Sequence, residues 1–83
     1  MSIIPQVLWF SKQMEAKLEA NRYKGGWADT SEGWLYERAV GEMRELAVAL
    51  HSQNPELVIK ECADVANFMM MIADKQRGAM EVT

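Results

Sequence analysis

Two short runs of this sequence carry four carboxylates. "GEMREL" holds Glu42 and Glu45, and "ECADVANF" holds Glu61 and Asp64. Within each run the acids stand three residues apart, so on a helix both project from one face about a turn apart. At about 100° per residue, Glu61 falls between Phe68 and Ile72 on the helical wheel, and Asp64 lies about 20° outside Leu57. Glu42 falls between Leu46 and Ala49, with Glu45 one step further towards water. The acids therefore indent the apolar stripes that a core should claim. Bare carboxylates gathered there repel one another and cost several kcal/mol apiece to bury. A divalent cation removes that cost, and an all-oxygen donor set selects Mg²⁺, with Mn²⁺ possible, over zinc or copper. Carboxylate-bridged iron requires Glu-x-x-His, and His51, the one histidine, is off that spacing. The competing outcome is ion pairing with Arg38, Arg44 or Lys60. For a single Glu-x-x-Glu that outcome is the commoner one; two such pairs on helices joined by a short loop favour metal.

The elements that must hold these acids are three amphipathic segments. In the first, Ile3, Val7, Phe10, Met14 and Leu18 recur at three- and four-residue steps. Ser2 is the expected cap, Pro5 fits a first turn, and the pattern fades near Asn21. The loop "YKGGWAD" follows, broken by paired glycines. A second helix is expected from a cap at Thr30 or Ser31, with Glu32 beside its positive end and a stripe of Leu35, Ala39, Met43, Leu46 and Leu50. "SQNP", residues 52–55, ends it. The third helix is expected from about Glu56 to Arg77, with Gly78 as its stop and residues 79–83 fraying or docking on a partner. Its core stripe is Leu57, Val65, Phe68 and Ile72, and its polar strip is Lys60, Asn67, Met71 and Asp74. The class is all-α, with no strand pattern or repeat. Antiparallel packing through the 52–55 loop brings Glu42, Glu45, Glu61 and Asp64 together.

Length and composition bound what such a bundle can be. Eighty-three residues make one domain, 1–83. A chain this short buries a modest share of its surface alone, so a homo-oligomer is expected, and the fold expected is a three-helix antiparallel chain completing a four-helix-bundle-like core by homo-oligomerisation. Met69, Met70 and Met71 suit such an interface, since methionine packs adaptably. A net charge of -3 and a pI near 5.0 argue against a nucleic-acid polymer as partner. The single cysteine, Cys62, allows no intramolecular disulfide and fits a reducing, cytoplasmic setting. No apolar run approaches a membrane span, and the first residues lack a basic leader pattern.

"GEMREL", then "ECADVANF", preceded by the "KGGW" loop, resembles the MazG-type nucleoside triphosphate pyrophosphohydrolases of the all-α NTP pyrophosphatase superfamily. The resemblance covers roughly residues 24–74. It implies hydrolysis of a nucleoside triphosphate between its α- and β-phosphates, giving a monophosphate and pyrophosphate. It further implies that Glu42, Glu45, Glu61 and Asp64 hold Mg²⁺, and that Glu42 or Glu45 also activates the attacking water. Candidate substrate contacts are Lys24 on the phosphates, Trp27 and Phe68 against a base, and Asn67 on a sugar or base. Lys12, Lys17 and Trp34 are lesser candidates. A homodimer or homotetramer is implied as well. The sequence departs from the pattern at Gly41, where relatives often carry another acid, and in ending where relatives continue into a fourth helix. A phosphoribosyl-ATP pyrophosphohydrolase is the alternative enzyme. A non-catalytic helical oligomerisation or binding module is the alternative of another class.

Overall fold

Pro5 sets where the first helix begins. In the computed structural model, which describes residues 2–81, helix α1 spans Pro5–Ala20 with proline in its first turn. A missing N–H costs nothing there, and the ring fixes a helical φ. The expected Ser2 cap does not form: Ile4 occupies the cap position and no side chain bonds the helix end. Asn21 ends the helix, its N–H returning to Lys17 O, and a 3₁₀ turn, Arg22–Lys24, follows. Gly25 then takes φ 84°, a left-handed conformation that favours glycine.

Helix α2 spans Glu32–Leu50, capped by Ser31, whose hydroxyl accepts from the Trp34 N–H at 3.1 Å. The turn out of α2 uses Gln53 at φ 58°. Asn54 then caps the next helix by accepting from the Leu57 N–H at 3.3 Å. Helix α3 spans Pro55–Glu81. It runs straight through Gly78, contrary to the expected stop. A helix interior glycine costs about 1 kcal/mol but ends a helix only if its backbone turns left-handed, and Gly78 does not. The expected tail is thus helical through Glu81, while Val82 and Thr83 lie outside the described residues.

All secondary structure among the described residues is helical. Helix α3 is the shared partner: α2 packs along one side of it and α1 along another, both antiparallel, and α1 makes no close backbone approach to α2. Where α2 meets α3, the fully buried residues are Leu35, Ala39, Ala49 and Ala63. Small side chains let the two backbones come close. The seam on α2 therefore runs Leu35, Ala39, Glu42, Ala49, turned by roughly 40° from the stripe the large side chains suggested. Met43 and Leu50, expected in the core, are 52% and 62% exposed, and Leu57 of α3 is likewise exposed.

Asn67 corrects the expected polar strip of α3. It is 4% exposed, and its amide donates to Met14 O of α1 at 3.0 Å. A single-stripe wheel assumes one covered face, whereas α3 is covered on two. No helix among the described residues is long and apolar enough to cross a membrane.

Candidate metal and phosphate site

The α2 seam turns Glu42 inward towards α3, and Glu45 follows one turn later. Across the seam Glu61 meets them, so that carboxylate oxygens of Glu42, Glu45 and Glu61 lie within 4.8 Å of one another. Glu42 is 8% exposed. Its Oε1 accepts from Arg38 Nη2 at 3.2 Å, while its Oε2 is buried and meets no donor. Glu61 Oε2 is buried and unpartnered in the same way. A lone carboxylate oxygen without a donor is costly in a protein interior, and an all-carboxylate set of this kind suits a hard divalent cation.

The electrostatics carry the same strain. The Glu42 carboxyl is lifted from an ordinary 4.5 to about 7, first by burial and then by its interaction with Glu45 and by repulsion from Asp64 and Glu61. Glu61 is raised too, first by burial and then by repulsion from Asp64 and Glu45, against a lowering contribution from its hydrogen bond with Glu42.

Asp64 stands apart from the trio. Its Oδ2 lies 3.4 Å from Lys17 Nζ of α1, although its charge still raises both Glu42 and Glu61. Of the four acids singled out in sequence, the structure thus gathers three and sets the fourth beside a cation.

A cleft of about 750 Å³ opens beside Glu42 and Asp64, whereas Glu45 and Glu61 do not line it. Its floor is α3, with Asp64, Asn67 and Phe68; its walls are Lys17 of α1 and Trp34, Arg38 and Glu42 of α2; its end is the loop from Lys24 to Trp27. The gap between α1 and α2 is what makes the cleft. All four candidate substrate residues, Lys24, Trp27, Asn67 and Phe68, line it. Lys24 is exposed, its Nζ 5.8 Å from the Tyr23 ring centre. Asn67 contributes a buried Oδ1 that meets no donor. Lys17 and Trp34 also line the cleft; Lys12 does not.

Trp27 is clasped from below. Its indole N–H donates to Asp74 Oδ2 at 3.1 Å, Lys75 Nζ donates to Ala28 O at 2.9 Å, and Gln76 donates to Glu32 at 2.6 Å. The Asp74 carboxyl is held low by the Trp27 bond and then by Arg77. These bonds fasten the glycine loop to the last third of α3. No sequence pattern signals the Trp27–Asp74 bond, because the partners are 47 residues apart. Arg38 had a local signal in its i, i+4 spacing to Glu42. No protein-family model, curated protein or solved structure matches this chain.

Proposed function

We propose that this chain is a Mg²⁺-dependent, MazG-type nucleotide pyrophosphohydrolase that cleaves a ribo- or deoxyribonucleoside triphosphate between its α- and β-phosphates. The observation that carries the proposal is the carboxylate trio with its two unpartnered, buried oxygens, one member of which, Glu42, lines a cleft. Glu42, Glu45 and Glu61 would hold the ion, with Asp64 as fourth acid. A bound Mg²⁺ supplies neutralisation of the phosphate charge and a more acidic attacking water. Glu45, the exposed member of the trio, is the carboxylate we assign to take that water's proton. Trp27 and Phe68 offer ring faces to a base, Asn67 Oδ1 an acceptor to a base amine or sugar hydroxyl, and Lys24 a charge to the phosphates.

We also propose that the working unit is a homo-oligomer in the cytoplasm, a homodimer or homotetramer. The radius of gyration is 14.0 Å, against about 12 Å for a compact chain of this length. Helix α1 has no fully buried residue, and Ile3, Ile4, Val7 and Trp9 stand exposed beside it. A second copy of the chain would cover them.

The non-catalytic binding module draws support from one feature: Glu42 and Asp64 each already have a cationic partner. Pyrophosphate release separates the readings. Assayed across a panel of nucleoside triphosphates with Mg²⁺, the protein is expected to release pyrophosphate from at least one, and to lose that release with chelator. No release from any member of the panel contradicts the enzyme.

A further inference from the structure

The two ion pairs of the acid site join acids to cations that line the same cleft. Arg38 binds Glu42 through Nη2 alone, at 3.2 Å, and its remaining N–H groups make no hydrogen bond among the described residues. Its guanidinium carbon lies 5.9 Å from the Trp34 ring centre and 5.7 Å from that of Phe68. Two aromatic faces thus hold the fork in place while half of the side chain stays open to solvent. Lys17 reaches from α1 to Asp64 Oδ2 at 3.4 Å, and it too is partly open. A polyphosphate entering this cleft would meet Asp64 on its floor and Glu42 on its wall. Apart from Arg22 and Lys24 at its loop end, the cations available to oppose it are these two, already committed to carboxylates.

We propose that Arg38 and Lys17 are exchangeable counter-ions, holding Glu42 and Asp64 while no metal is bound and turning to the phosphates of the nucleotide once a divalent ion holds those carboxylates. The inference rests on the metal reading of the acids. A divalent ion competes with a monovalent side chain for a carboxylate with double its Coulomb energy at equal distance. The released guanidinium keeps its ring contacts and needs only a side-chain rotation to present two N–H groups to a phosphate. That bidentate geometry is the one it is built for. The exchange also gives order to binding: phosphate affinity rises only after metal has entered.

The test uses inorganic tripolyphosphate as the probe, titrated calorimetrically into the full chain with and without Mg²⁺. Wild type is expected to bind it with Mg²⁺ and not measurably without. Arg38→Gln and Lys17→Gln are each expected to bind Mg²⁺ alone at least as tightly as wild type. In Mg²⁺, each is expected to bind tripolyphosphate at least about tenfold more weakly, the loss typical of one charged hydrogen bond. Lys60→Gln removes the same charge from an exposed position outside the cleft and should leave both affinities within about twofold. Circular dichroism of each variant establishes that it is folded. If wild type and the folded variants bind Mg²⁺ but bind tripolyphosphate within about twofold of one another, the pairs are static and the exchange is overturned alone. If wild type takes up no Mg²⁺, the metal reading falls, and the exchange falls with it.

Discussion

Glu42 keeps an acid where the α2–α3 seam otherwise accepts alanine. Its raised carboxyl makes stability depend on pH in a stated direction. Below about 4.5 the group is protonated in folded and unfolded chains alike and exerts no effect. Between about 4.5 and 7 the folded chain still holds the proton while the unfolded chain has lost it, so stability falls as pH rises. Above about 7 the full penalty is present, on the order of 3 kcal/mol. The metal-free protein is therefore expected to melt at a lower temperature at pH 8 than at pH 5, and millimolar Mg²⁺ is expected to recover most of the difference. A melting temperature that rises from pH 5 to 8 without metal contradicts this account of Glu42. At the same scale, the sequence made the acids legible through their three-residue spacing, whereas Asn67 was misplaced. Its amide looked solvated because a wheel of α3 alone shows nothing of α1, which covers it.

The helices show where local rules suffice and where packing decides. The cap and break of α2 are readable, since Ser31 begins it and the turn before Pro55 ends it, whereas the Ser2 cap and the Gly78 stop expected for α1 and α3 do not form. The α2 stripe was misread because hydrophobicity ranks methionine and leucine above alanine, while the closest approach of two helices selects the smaller residue. Gly41 belongs to this scale. A Cβ added there meets nothing within 4 Å, so no close neighbour within the chain requires the glycine. Gly41→Ala is expected to stabilise α2 by about 1 kcal/mol and to raise the melting temperature by several degrees. A drop in melting temperature would mean that Gly41 faces a close contact in the assembled protein.

At the scale of the molecule, three helices with principal extents of 47 × 35 × 22 Å form a shape about two helices thick, with α1 and α2 apart. That separation gives the cleft its opening, and it also leaves apolar side chains of α1 in water. An all-α fold followed from the periodicity alone. The sharing of α3 by both other helices did not, because sequence spacing shows which residues share a face and not how many neighbours the face meets. The proposed assembly predicts that light scattering of the wild type gives a mass of two or four chains. Val7→Asp with Trp9→Glu on α1 is expected to shift it towards one chain. A wild-type mass of one chain at tens of micromolar contradicts the assembly.

The pyrophosphohydrolase reading and the counter-ion exchange both depend on whether the carboxylates of α2 and α3 take up a divalent cation. Calorimetric titration of Mg²⁺ into the wild type and into Glu61→Gln tests this most directly. Glu61 is the apt position, because among the described residues its Oε2 is buried without a donor and it has no ion pair to lose. The account predicts saturable Mg²⁺ binding by the wild type and at least about tenfold weaker binding by Glu61→Gln, whose metal-free melting temperature should equal or exceed that of the wild type. Absence of binding by the wild type, or unchanged binding by a destabilised Glu61→Gln, would contradict it.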